Sequence, residues 1–307
     1  MSYARADVPV LAIFGPTAAG KSAVASAIAE RVSAELVSAD SMQVYRGLPI
    51  LTNQPDEPTR LVGIWELDHD ASVGEYATLA HEVVDEALAA GRTPVVVGGT
   101  GLYLRAALSE LELPPAPVPG ARARIERLYE QLGPERTHAV LRDRDPRAAS
   151  SVHANDKKRV VRALELAESG RSLAPAADML WSTEVRHPTV VFALDVPKER
   201  LDQRIAERAR LMFDRGVEQE VRRALAGTIS ATARQVIGLR EVADLTRAEA
   251  IDALVARTTR YAAYQRKWMR RIPGIVSLSA DRPPGEIADE ILEVAWTRQR
   301  LSAHRAD

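Results

Sequence analysis

Eight residues near the start of the chain, Gly15-Pro16-Thr17-Ala18-Ala19-Gly20-Lys21-Ser22, satisfy the pattern G-x-x-x-x-G-K-[ST]. The residue types dictate one chemistry, the cradling of phosphate. Glycines let backbone N–H groups turn inward around phosphate oxygens, and a helix starting at the loop adds the positive end of its dipole. Lys21 neutralises terminal phosphate charge, and the Ser22 hydroxyl can ligate Mg²⁺. The pattern does not identify the phosphate, since nucleotides and prenyl diphosphates present the same oxygens. No N-K-x-D sequence for reading guanine is present. No ordinary Walker-B aspartate stands out, and the nearest candidate is Asp40.

The elements around the loop follow from hydrophobic pattern. Val8–Phe14 is a short apolar run ending at a glycine, which predicts a buried parallel strand. Ser22–Val32 has helical spacing, Glu35–Ala39 is a second strand ending at Asp40, and Tyr76–Ala90 is a helix stopped by Gly91. Val95–Val97 is a third strand, cut off by Gly98, Gly99 and Thr100, and Thr189–Asp195 is a fourth. Alternating strand and helix predicts an α/β fold, a P-loop NTPase-like core with a parallel sheet. Ligands in such sheets sit at the carboxyl ends of the strands, where the loop, Asp40 and Thr100 all fall.

Between the third and fourth strands the pattern changes. Leu113–Pro119 has four prolines in seven residues and can continue neither a helix nor a central strand. The arginine-rich stretch after it is helical to about Arg186. The expected organisation is therefore a catalytic core of residues 1–113 and 188–307 with a helical insertion at 114–187. From Lys198 the chain is again mostly helical, apart from a short apolar run at Ile275–Leu278.

Bulk composition bounds the setting. The chain has 307 residues, 41 Lys and Arg against 42 Asp and Glu, and no cysteine, so disulfides and thiolate chemistry are excluded. No apolar run reaches the ~18 residues of a membrane span, and the opening MSYARADVPV carries no signal-peptide core, so a cytoplasmic address without membrane contact is expected. Cations nonetheless cluster locally. Lys157, Lys158, Arg159 and Arg162 fall within six residues. Arg257 to Arg271 holds six basic side chains and no acid, interleaved with Tyr261, Tyr264 and Trp268. Each run alone is ordinarily a solvated helix face. Together they favour RNA, whose backbone attracts cations and whose unpaired bases stack on aromatics.

The loop and the segments after it resemble the tRNA dimethylallyltransferase (tRNA isopentenyltransferase) family. The matching blocks are GPTAAGKS (15–22), ADSMQVYRG (39–47), VVGGTGLYLRA (96–106), HANDKKRVVRALE (153–165), RIAERARLMFDRGVEQEV (204–221), QVIGLRE (235–241) and TRYAAYQRKWMRR (259–271), in order along most of the chain. The resemblance implies that the loop, with Arg208, holds the diphosphate of dimethylallyl diphosphate together with Mg²⁺, and that the acceptor is N6 of the adenosine 3′ to the anticodon. It implies catalytic roles for Asp40, Lys21 and Thr100. For Asp40 three readings stay open: general base on the adenine amine, carboxylate near Mg²⁺, or cap of the next turn. The resemblance assigns tRNA contacts to Asp40, Ser41, Met42, Gln43, Thr100, Arg122, Lys158, Arg159, Val160, Val161, Arg162, Gln235, Gly238 and Arg240. The expected partner is the anticodon stem-loop of tRNA, bound by a monomer.

The chain departs from the family pattern at Leu51-Thr52-Asn53-Gln54-Pro55, where G-T-A-K-P is usual. It departs also at Thr59 for a histidine, Gly63 for an aspartate, Leu239 for a tyrosine, and Ala263-Tyr264 for a basic pair. The first changes bear on donor or substrate contacts near residues 51–63. Other reactions open to the same loop are prenylation of a free adenylate, which would need no insertion, and small-molecule phosphorylation, which would need ATP. A non-catalytic RNA-binding switch would have no use for Asp40 and Thr100.

Overall fold

In a computed structural model, residues 9–111, 120–174 and 182–303 are described. The proline run at 113–119 and Val8 lie outside them. The chain divides into two compact units, one of residues 1–110 and 183–307, the other of residues 111–182.

The first unit is built on five parallel strands, β1 (Val10–Phe14), β2 (Ala34–Ser38), β3 (Thr93–Gly98), β4 (Thr189–Asp195) and β5 (Val276–Ser279), ordered β2-β3-β1-β4-β5. Strand β1 is central and buried along its whole length, which is why its sequence VLAIF is continuously apolar rather than alternating. The fifth strand, read from sequence only as an apolar run, pairs Phe192–Asp195 with Val276–Ser279 and closes one edge. Of its four residues Leu278 alone is buried, so its pattern is too weak to mark it in isolation.

Helices α1 (Lys21–Ala29), α2 (Val73–Ala89) and α3 (Gly101–Leu108) follow the first three strands. After β4 come α7 (Lys198–Asp214), α8 (Val217–Leu225), α9 (Leu239–Asp244), α10 (Arg247–Met269) and α11 (Pro284–Ala303). Ser72 starts α2 as a capping box with Glu75, and Gly216, at φ 88, makes the sharp break between α7 and α8. The main core joins Leu11 and Ile13 of β1 to Phe192 and Leu194 of β4, Ile28 of α1, Ile205 of α7 and Ile291 of α11. No helix among the described residues is long and apolar enough to cross a membrane.

The second unit holds α4 (Ala121–Arg144), α5 (Pro146–Ser151) and α6 (Lys157–Glu168). Gly133, at φ 78 and ψ 172 and followed by Pro134, breaks α4 into two pieces. Ile125, Tyr129, Leu141, Val160, Val161 and Leu164 form its own core. Asp145 closes the α4–α5 corner by accepting from the Ala148 amide at 3.0 Å and the Ser172 hydroxyl at 2.6 Å.

Candidate active site

The loop Gly15–Gly20 joins β1 to α1 at the carboxyl end of the sheet. Gly20 stands at φ 92 and Ala18 at φ 64, so the chain coils back on itself before the helix begins. No side chain caps α1. Its first amides therefore remain available to an anion. Lys21 folds over the loop, its Nζ donating to the carbonyls of Gly15 at 3.0 Å and Pro16 at 2.9 Å. Burial lowers its pKa to about 8, against the pull of Asp40 that raises it, and Arg208 adds to the lowering.

Thr17 is held from two sides. Its hydroxyl accepts from Arg208 Nη2 at 2.5 Å, and its amide donates to Gln265 Oε1 at 2.7 Å. The helical row of arginines on α7 is thereby divided. Arg200 and Arg204 pair with Asp281 at 3.3 and 3.1 Å, as a solvated face does, while Arg208 turns to the loop. Burial pushes the Arg208 guanidinium below its usual range and Asp40 counters it.

Asp40 follows β2. One carboxylate oxygen accepts from the Met42 amide at 2.9 Å, so the turn-capping role is real. The other accepts no hydrogen bond from a described residue, and Asp40 lines the cavity that contains the loop. Thr100 begins α3, but its hydroxyl makes no cap. It accepts from the Ser41 amide at 3.2 Å and shares hydrogen bonds with Ser41 Oγ at 3.2 Å and Tyr261 Oη at 3.3 Å. This network ties the ends of β2 and β3 together; Asp40 lines the cavity, and Thr100 stands behind it on Ser41 and Tyr261.

The glycines of the VVGGTG run are required by close approaches. A Cβ on Gly98 would lie 2.0 Å from the Ala39 carbonyl oxygen, one on Gly99 2.1 Å from Gln265 Nε2, and one on Gly101 2.1 Å from the Trp268 ring. Tight packing of α10 on the β3–α3 turn thus accounts for two of the three.

The cavity measures about 490 Å³, within the range of small-molecule sites. Thr17, Gly20, Lys21, Ser22, Asp40 and Arg208 are among its polar residues, and Arg204, Glu57 and Glu207 also line it. Leu51, Leu211, Met212, Ile237 and Leu254 contribute apolar ones. The segment that departs from the family pattern lies on this wall, with Leu51, Thr52, Asn53, Pro55 and Thr59 all lining it. Buried Glu220 fixes it by accepting from the amides of Ile50 at 2.9 Å and Leu51 at 2.7 Å. Gln43 fixes it from the other side. Its amide nitrogen donates to the Asn53 carbonyl at 2.9 Å and its oxygen accepts from Ser38 at 2.9 Å, so it holds the wall rather than offering both ends to a base.

Ser22 and Asp40 are the oxygen donors fit for a cation beside the loop. No group of three or more His, Cys, Asp or Glu able to hold a metal occurs among the described residues. Mg²⁺ bound chiefly by substrate phosphate and water needs no such cage, so the donor set fits.

Several sequence-predicted residues fall elsewhere. Val160 and Val161, 0% and 1% exposed, pack in the core of the second unit. The Val160 amide is also spent on the Asp156 carbonyl at 2.9 Å. Lys158 and Arg159 are exposed on the same helix. Arg162 donates to buried Glu165 at 3.0 Å, and Arg122 pairs with Glu126 at 3.2 Å. In the first unit Gln235 and Arg240 are exposed, while Gly238, at φ 98, packs between Leu51 and Leu254. Of the α10 aromatics, Tyr264 alone is well exposed, at 54%; Tyr261 enters the site and Trp268 covers Gly101. Sequence reasoning missed Gln265, Tyr261 and Glu220 as site builders. The signal for Gln265 was its place in the buried row Leu254, Thr258, Ala262, Gln265, Met269, where an amide is anomalous.

Known proteins resemble this chain over most of its length. The family model for IPP transferase matches residues 43–272, and that for isopentenyl transferase matches residues 8–60. A tRNA dimethylallyltransferase of Salinispora arenicola is 40% identical over 93% of this chain and 86% of its own length; that of Streptomyces coelicolor is 40% identical over 94% of each. The crystal structure of tRNA isopentenylpyrophosphate transferase from Bacillus halodurans superposes with a TM-score of 0.69 at 30% identity, covering 97% of this chain and all of that one. A eukaryotic dimethylallyltransferase acting on tRNA superposes at 0.71 with 25% identity, covering 89% of this chain and 74% of that one. With a P-loop, a cavity-facing carboxylate and relatives matched nearly end to end, the chain belongs to the tRNA dimethylallyltransferase family.

Proposed function

We propose that this protein transfers a dimethylallyl group from dimethylallyl diphosphate to N6 of the adenosine immediately 3′ of the anticodon in tRNA. The observation that carries the reading is one cavity in which Lys21, Arg208, the uncapped start of α1 and Asp40 stand against an apolar wall. A diphosphate with a five-carbon tail matches those two surfaces. A kinase acceptor site gives no reason for the apolar one.

In the transfer the allylic C1–O bond breaks, a bond forms between C1 and N6, and one N6 proton leaves to the base while diphosphate departs. Lys21, Arg208 and the amides of α1 stabilise the charge that grows on the leaving group. Asp40 takes the proton, since it lines the cavity with one oxygen uncapped and the amine's delocalised lone pair makes it a poor nucleophile unaided. Thr100 positions the acceptor beside it. Mg²⁺, held by Ser22, would neutralise diphosphate charge. The adenine leaves its stack to be reached. Arg122, Lys158 and Arg159 of the second unit, with Gln235, Gly238 and Arg240 of the first, contact the tRNA around the anticodon stem-loop. The enzyme acts as a cytoplasmic monomer.

The test is release of inorganic diphosphate. The reading requires release from dimethylallyl diphosphate that depends on added tRNA. Phosphorylation of a small molecule from labelled ATP, without tRNA-dependent diphosphate release, would replace it with the kinase reading.

A further inference from the structure

Gln265 is 1% exposed, lies 248 residues from the loop in sequence, and has both ends of its amide engaged at the site. Its Oε1 accepts from the Thr17 amide at 2.7 Å and its Nε2 donates to the Gly99 carbonyl at 2.8 Å. The first bond fixes the loop that faces the diphosphate. The second fixes the residue preceding Thr100. One turn earlier on α10, Tyr261 shares a hydrogen bond with the Thr100 hydroxyl at 3.3 Å, and Thr100 in turn accepts from the Ser41 amide next to Asp40. One planar amide therefore sets the separation between the diphosphate side of the cavity and its acceptor side. Gly99 is glycine because any Cβ would enter this amide at 2.1 Å.

We propose that Gln265 is a positioning residue for transfer. It holds the P-loop and the β3–α3 turn at the spacing that brings the allylic carbon within reach of the acceptor nitrogen, and touches neither substrate itself. This rests on the transfer reading above. A displacement of about 1 Å between reacting groups costs on the order of 10²-fold in rate. A simple core residue of the same size would affect stability instead.

The experiment compares wild type with Gln265→Leu, which keeps bulk and removes both hydrogen bonds, and Gln265→Glu, which keeps the acceptor and loses the donor. Single-turnover transfer at saturating substrates separates the two roles, because misfolded enzyme lowers the amplitude and mispositioned groups lower the rate constant. The expected result is a rate constant down roughly 30- to 100-fold in the Leu variant, with amplitude and donor affinity near wild type and the Glu variant intermediate. A lower amplitude with an unchanged rate constant overturns the proposal. A second measurement does not depend on transfer: hydrogen exchange of the ligand-free protein should speed up across residues 15–22 in the Leu variant, with β1 unchanged. If wild type itself makes no prenylated tRNA, the transfer reading fails, and unchanged exchange at the loop would then dispose of the clamp as well.

Discussion

Replacing Asp40 with asparagine removes a proton acceptor and little else. The capping oxygen survives as the amide oxygen, so the bond from the Met42 amide at 2.9 Å can persist and the turn after β2 should hold. Loss of positioned acid–base catalysis lowers the rate by ~10²–10⁴, equivalent to about 2.7–5.4 kcal/mol in the barrier. An indirect effect runs alongside. Asp40 raises the pKa of Lys21, so its removal moves that group further below about 8. That trims the charged share of free Lys21 near neutral pH, a lesser effect than the loss of the base. The assay is single-turnover transfer from dimethylallyl diphosphate to tRNA, at pH 6.5 and 7.5 and across a Mg²⁺ series. A base role predicts a large deficit that neither lower pH nor added metal repairs. Recovery with Mg²⁺ would move Asp40 to the metal site, and a rate equal to wild type would remove it from the chemistry.

Lys21→Ala should slow transfer by ~10²–10³ while leaving tRNA affinity near wild type in a filter-binding assay. Lys21 of the free protein has a pKa of about 8 and the bound diphosphate favours its charged form. Binding therefore takes up a proton above that pH, and diphosphate affinity should be flat below pH 8 and fall about tenfold per unit above it in calorimetric titration. Gly99→Ala drives a methyl group into the Gln265 amide and should cost about 1–3 kcal/mol in chemical denaturation, where a neutral result would show that the contact yields. Lys158→Ala with Arg159→Ala should weaken tRNA binding and reduce its salt slope by ~0.7–0.9 per lost phosphate contact. Arg162→Ala differs because it strips buried Glu165 of its partner, and it should destabilise the second unit by about 3 kcal/mol in addition.

The strands, the loop and the helical second unit were legible because each carries a local signal: a continuous apolar run, a glycine-lysine pattern, a 3.6-residue period. Asp40 and Thr100 were legible because strand ends are where such folds place ligands. What stayed hidden depends on contacts across long separations. The hydrogen bond between Thr17 and Gln265 joins residues 248 apart, and the helical row that holds Gln265 marks it as buried without naming its partner. The same helix misled as well, since Tyr261 and Trp268 look like a stacking platform and in fact pack on the β3–α3 turn. Val160 and Val161 sit inside a cationic segment, and only the packing of α6 shows that their side chains face away from solvent. Gln43 shows the same limit, since only the structure reveals that its amide braces the wall formed by residues 51–54.

The most direct test of the central claim is mass spectrometry of nucleosides from a tRNA incubated with this protein, Mg²⁺ and dimethylallyl diphosphate. Two transcripts should be compared, one with adenosine immediately 3′ of the anticodon and one with guanosine there. The account predicts one N6-dimethylallyladenosine per adenosine-bearing tRNA and none in the guanosine transcript. Unmodified nucleosides in both, or prenylation that ignores the substitution, would contradict it.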